Sequence, residues 1–202
     1  MPPALSRLDR LARILASRTP FTVEDPARQR AAVAIIFTPE PDSILLIKRA
    51  EREGDRWSGQ MAFPGGRWSP GDPDLATTAR RETLEETGVD LDPARLLGRL
   101  DDTAPRTQAL PPIIVSAFVF ELDRPARLRL NHEVAAAEWV ALDALLAPGV
   151  YRGFDYQAGG IQMSFPGYHL GTGVVWGMTE RILTPLVDLL RGEGERPVVK
   201  AT

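Results

Sequence analysis

The sequence predicts an α+β fold in which helices sandwich a mixed β-sheet. Three observations lead there. Short runs with strand signals recur along the chain, at 31–38, 43–48, 96–100, 113–121 and 138–142. Helical periodicity appears at only three places, near the N-terminus, at 74–87 and at 174–190. The two kinds of segment do not alternate strictly, so a purely parallel βαβ architecture is not expected.

The elements follow in order. Leu5, Leu8, Leu11 and Leu15 have helical spacing, which predicts an amphipathic helix packed on the rest of the chain. Residues 20–30 read as a polar linker. Ala31–Thr38 and Ser43–Lys48 read as buried strands, with Pro39–Asp42 as the turn between them. Residues 51–58 are charged and irregular. Gly59–Gly66 is short and apolar and ends in two glycines. Asp74–Thr87 reads as a helix stopped by Gly88. Asp143–Leu146 suggests a short helix. Gly149–Gly171 is rich in glycine and aromatics and too long for a bare connection. It reads as an extended loop or hairpin, serving as a lid or as a contact in a homodimer. Val174–Leu190 reads as a last helix, kinked near Pro185.

Composition narrows the function. The chain of 202 residues suits one globular domain with decoration. A net charge of -3 provides no electrostatic footprint for nucleic acid or an anionic membrane. No apolar run approaches the length that spans a bilayer. Arg7, Arg10, Arg13 and Arg18 interrupt the first residues, which lack the apolar core of a secretory signal. The absence of cysteine excludes disulfides, thiolate metal sites and a cysteine nucleophile. A cytoplasmic location is expected.

The chemistry is concentrated on the 74–87 helix. Glu82, Glu85 and Glu86 stand at i, i+3 and i+4, on one face. Like charges so placed repel, and a hard divalent cation such as Mg²⁺ or Mn²⁺ would relieve the repulsion. A solvated acidic face is the alternative account of the triplet. Context favours the cation: Gly65 and Gly66 stand upstream, Arg81 precedes Glu82, and Gly88 ends the helix.

The set Gly66, Asp72, Arg81, Glu82, Glu85, Glu86, Gly88 and Val89 resembles the Nudix box. It departs from the common pattern at Asp72, where Glu is usual, at Thr83, where an aliphatic residue is usual, and in the eight-residue spacer between Asp72 and Arg81. The flanks, Leu45–Ala50 with Gly59–Gly66 and Val175–Thr179 with Ile182–Leu183, are similar to the coenzyme A pyrophosphatase branch. That branch usually carries His where Trp57 stands. Phe63 and Trp176 read as core aromatics.

The resemblance implies a Nudix-type α/β/α sandwich over 31–192, with an N-terminal helix and linker at 1–30 and a tail at 193–202. It also implies Mg²⁺-dependent hydrolysis of a diphosphate linkage. A coenzyme A or acyl-CoA substrate would give 3′,5′-ADP and a phosphopantetheine. ADP-ribose, dinucleotides and nucleotide sugars share that linkage, and a non-catalytic nucleotide-sensing domain is the alternative of another class. The resemblance assigns Glu82 and Glu86 as primary metal ligands, Glu85 as a further one, and Gly66 as a backbone ligand. Mn²⁺ is a possible substitute for Mg²⁺. Arg81 would orient a box glutamate. Glu133, six residues before Trp139, matches a carboxylate that serves the metal site in a bacterial member of the superfamily; its neighbour His132 reads as a loop residue. Glu82, Glu133 and a loop carboxylate are the candidate general bases. Arg49 is a candidate phosphate contact and Lys48 a weaker one, since neighbours on a strand face opposite ways. Trp57 is a candidate for stacking on the substrate base.

Overall fold

A computed structural model describes residues 5–54, 57–105, 107, 110–158 and 161–192; the expected tail at 193–202 lies outside them. The sheet is built around β1 (Gln29–Thr38). On one edge β1 pairs antiparallel with β2 (Ser43–Arg49) and with the short β4 (Gly65–Arg67). On the other edge it runs parallel to β6 (Ile113–Glu121) for its whole length, with Ala31 opposite Val115 and Phe37 opposite Glu121. Then β3 (Met61–Ala62) and β7 (Val134–Ala141) extend β2, and β5 (Arg95–Arg99) closes the far side against β6. One parallel pair among antiparallel ones makes the seven-stranded sheet mixed, as the sequence predicts.

Both faces of β1 are covered, which is why its sequence is a continuous apolar run. Ala31, Ile35 and Phe37 point into one core with Leu8, Leu11, Ala12 and Leu15 of α1 (Arg7–Ser17) and the apolar face of α4 (Gly177–Arg191). Ala32, Ala34 and Ile36 point into a second core with Ala79 of α2 (Leu75–Thr87), Val89 and Phe120. The alternation of period two on one strand therefore sets the two helical layers on opposite faces of the sheet.

Helix α2 ends at Gly88, as the sequence predicts, and its start is capped by Asp74. Asp74 accepts a hydrogen bond from the Thr77 N–H at 2.7 Å, and Gly88 ends the helix with φ 69°. Other elements depart from expectation. Residues 174–176 are not helical: they form β10 (Gly173–Trp176), paired with β9 (Ile161–Leu170), and helix α4 starts only at Gly177. Val174 and Val175 are β-branched and find a strand partner, which outweighs their place in a helical pattern. Strand β7 begins at Val134 rather than 138, because pairing with β2 recruits three alanines of poor strand propensity. A short helix, α3 (Leu142–Leu145), follows it. Within 149–171 the expected hairpin pairing is met: β8 (Tyr151–Ala158) runs antiparallel to β9. Trp176 sits on this hairpin's aromatic face, with Phe154, Tyr156 and Phe165 rings 4.8–5.6 Å away. Among the described residues no helix is long and apolar enough to cross a membrane.

Candidate active site

The site forms where α2 crosses β4. Gly65 has φ 152°, a conformation that L side chains rarely adopt, and a Cβ there would lie 2.3 Å from the Ala32 carbonyl oxygen. Its N–H donates to Glu86 Oε2 at 2.9 Å. A Cβ on Gly66 would lie 2.4 Å from Glu82 Cδ, so the Glu82 carboxylate rests directly on the Gly66 backbone. The two glycines thus admit two glutamates of one helix face to bare backbone. Glu85, one turn along, has an exposed side chain.

Burial is the main influence on the two inner carboxyls. It pushes Glu86, which is 2% exposed, up to about 7, against the Gly65 N–H and nearby Arg49; Glu82 and Glu133 push the same way as burial. Burial also raises Glu82, with Arg81 opposing it. Burial, more than repulsion between the glutamates, therefore disfavours their ionised forms.

Arg81 organises the outer part. It donates from Nε to Asp72 Oδ1 and from Nη2 to Asp72 Oδ2, both at 3.0 Å, while Nη1 reaches Glu82 Oε1 at 2.7 Å and Glu85 at 3.4 Å. Asp72 is buried and also accepts from the Thr78 hydroxyl and the Ser69 N–H. The Arg81 guanidinium, helped by these donors, lowers the Asp72 carboxyl to about 2. Asp72 thus acts as the buried partner of Arg81. The shorter side chain still meets Arg81 across the eight-residue spacer.

A cleft of about 540 Å³ opens beside the cluster. Its polar lining residues, Arg49, Arg52, Gln60 and Arg67, lie on the β2–β4 side beside Val33, Met61 and Phe63. On the β6–α4 side it is apolar, with Ile113, Val115, Met178 and Ile182. Strand β2 has a bulge between Lys48 and Arg49, and Arg49 lines the cleft while Lys48 does not. Trp57 also lines it and packs against the first core. Phe63 is buried, as expected of a core aromatic. Glu133 immediately precedes β7; its Oε1 accepts from Arg52 Nη1 at 3.1 Å, and its charge bears on Glu82 and Glu86. His132 beside it is exposed, as a loop residue should be.

Arg52 and the α4 residues escape a sequence reading. Arg52 is one charge in a charged stretch, and Met178 and Ile182 reach the cleft only through tertiary packing.

The donors fit a hard divalent cation. They are carboxylate and backbone oxygens, without sulfur or imidazole, and burial raises the Glu86 carboxyl, so a cation beside it would favour its ionised form. Among the described residues no three acidic or imidazole side chains are gathered closely enough to hold a metal ion by themselves.

A mixed sheet between helical layers carries the carboxylate helix on a double glycine, and the domain model that the chain matches is that of hydrolases acting on phosphorus-containing anhydrides. Residues 27–157, more than half of the chain, match the NUDIX domain model. The chain belongs to the Nudix family, whose members generally use divalent metal ions and act on small nucleotide-derived substrates. It is 28% identical over 195 residues to the mitochondrial coenzyme A diphosphatase NUDT8 of Mus musculus, covering 94% of this chain and 91% of that protein. It is 44% identical over 110 residues to an uncharacterized protein of Schizosaccharomyces pombe, covering 52% of this chain but only 33% of that protein's length. A MutT/nudix family protein from Enterococcus faecalis shares the fold, with a TM-score of 0.54 at 16% identity, covering 89% of this chain and 67% of that one.

Proposed function

We propose that this chain hydrolyses the diphosphate linkage of coenzyme A or an acyl-CoA, with Mg²⁺ as cofactor, giving 3′,5′-ADP and a phosphopantetheine. The observation that carries the reading is a cleft with two characters. Arg49 and the glycine-backed glutamates offer a place for a diphosphate, and Ile113, Val115, Met178 and Ile182 offer an apolar wall for the pantetheine arm or an acyl chain. The likeness to a mammalian coenzyme A diphosphatase over most of both chains supports the same substrate.

Glu82 and Glu86 are the primary metal ligands in this reading, Glu85 is an outer one, and the Gly66 backbone contributes a carbonyl. Bound Mg²⁺ would neutralise phosphate charge and make a water more acidic. Arg81 fixes Glu82 and Glu85 by charge-assisted hydrogen bonds and opposes the burial that raises Glu82. Arg49 draws a phosphate oxygen to the cluster, and Trp57 supplies an aromatic face at the cleft wall. Glu133 is the general base, close enough for its charge to act on Glu82 and Glu86 while its carboxylate stays partly in solvent. Water adds to one phosphorus as the bridging P–O bond breaks, in line with attack, so each product leaves as a phosphomonoester.

A panel of coenzyme A, an acyl-CoA, ADP-ribose, a dinucleotide and a nucleotide sugar, each with Mg²⁺ or Mn²⁺ and analysed by chromatography, tests the reading. Release of 3′,5′-ADP from coenzyme A is expected. Rapid cleavage of ADP-ribose with none of coenzyme A would refute it.

A further inference from the structure

We propose that Arg52 reads the separate phosphomonoester of the substrate, and that it does so by exchanging Glu133 for that phosphate. The inference rests on the coenzyme A reading, since coenzyme A carries a 3′-phosphate besides its diphosphate.

The two residues meet because of the sheet. Arg52 lies just after β2 and Glu133 just before β7, and these strands are paired, with Arg49 opposite Val134. The backbones are pinned: the Ala50 N–H donates to the Glu133 carbonyl at 2.8 Å, the Glu133 N–H donates to Asn131 Oδ1 at 2.8 Å, and the Arg52 N–H donates to Ser58 Oγ at 2.7 Å. Side-chain rotation is the freedom that remains. Arg52 lines the cleft beside Arg49 and holds Glu133 Oε1 at 3.1 Å. Glu133 in turn bears by charge on Glu82 and Glu86, so without a cation it is repelled from the cluster and drawn to Arg52.

The contest at Arg52 has a clear direction. Its pair with Glu133 is well exposed, 43% and 36% for the two side chains, and exposed ion pairs are weak. A phosphomonoester carries more charge than a carboxylate and matches the guanidinium fork with two oxygens. The phosphate therefore takes Arg52, and Glu133 turns to the cluster, where substrate and cation are then present. Only an ion pair is exchanged, and no covalent bond changes. A substrate without the third phosphate leaves Glu133 on Arg52. Discrimination for that phosphate should therefore appear in turnover as well as in binding.

Calorimetric titration in Mg²⁺ with 3′,5′-ADP and with 5′-AMP, neither of which holds a diphosphate linkage to cleave, reads the exchange apart from catalysis. The unmodified chain should prefer 3′,5′-ADP by about tenfold or more, the worth of one charge-assisted fork. Arg52→Ala should bring the two ligands to within about twofold of each other. Glu133→Gln should move the other way: the preference for 3′,5′-ADP rises, because a competitor for Arg52 is gone, while turnover falls. A pair with a merely structural role would weaken both ligands alike in both variants. Retention of the preference in Arg52→Ala, or its loss in Glu133→Gln, overturns the assignment. The proposed substrate fails separately. If coenzyme A is not cleaved while Arg52→Ala still abolishes the 3′,5′-ADP preference, the phosphate assignment stands and the coenzyme A reading falls.

Discussion

Arg81 grips Asp72 with two parallel hydrogen bonds of 3.0 Å and spends its remaining nitrogen on Glu82 at 2.7 Å. One guanidinium thereby couples the loop after β4 to the carboxylates of α2. The pairing lowers the Asp72 carboxyl from the ordinary aspartate range to about 2. A carboxyl lowered in the folded state adds stability above its unfolded value, and that stability is lost as pH falls toward the folded one. Asp72→Asn should therefore be less stable than the parent at pH 6. Its stability should change less between pH 4 and pH 2. Urea midpoints across that range check both statements, and identical pH profiles would refute them. Arg81→Lys should lower turnover more than stability, because an ammonium cannot hold Asp72 and Glu82 with one rigid fork.

Glu86 presents the opposite sign. Burial raises its carboxyl to about 7, so without metal the ionised form costs stability that grows as pH rises from the unfolded glutamate value through 7. Glu86→Gln removes that charge at nearly constant shape. In EDTA at pH 8 the variant should melt above the parent, and at pH 5 the two should converge. Its turnover should fall by more than the about 10–100-fold typical of residues that merely support a metal ligand. Unchanged activity would sink the assignment of Glu86 as a ligand.

The same group sets a pH dependence for the cation. A ligand that holds a proton up to about pH 7 must release it to bind Mg²⁺. Mg²⁺ affinity should weaken as pH falls from 8 to 6, with proton uptake by buffer detectable in calorimetry. Glu86→Gln should show neither effect. Thermal upshift by Mg²⁺ should likewise be larger at pH 8 than at pH 6.

Much of this site was legible before the fold was known, for a local reason. Glu82, Glu85 and Glu86 share a face because helical spacing puts them there, and Asp74 and Gly88 mark where that helix begins and ends. The two-faced burial of β1 was equally visible in its unbroken apolar run. What stayed hidden depends on pairing between distant segments. Val174–Trp176 carries a helical pattern yet pairs with β9. Arg52 meets Glu133 only because β2 and β7 are neighbours, a contact 81 residues apart in sequence. Asp72 could be placed in a motif but not joined to Arg81, since the reach of a short side chain across a loop is a property of the folded backbone.

The two glycines offer a contrast that separates scaffold from chemistry. At Gly65 the added Cβ of Gly65→Ala would meet the Ala32 carbonyl oxygen at 2.3 Å and Val33 Cα at 2.6 Å, both backbone atoms of the central strand, at φ 152°. Neither can move without disturbing β1, so a loss of about 1–3 kcal/mol or more is expected from strain alone. At Gly66 the atoms met by a Cβ belong to the Glu82 carboxyl, the far end of a flexible side chain, and no unusual backbone angle is involved. Gly66→Ala should therefore keep most of its stability and displace Glu82 from its seat. Turnover and Mg²⁺ affinity should fall together, while the denaturation midpoint stays near the parent's. Measuring midpoint and turnover for both variants decides the matter. If Gly66→Ala keeps full activity, the Glu82 carboxylate does not need its place on the glycine backbone, and its assignment as a primary ligand fails.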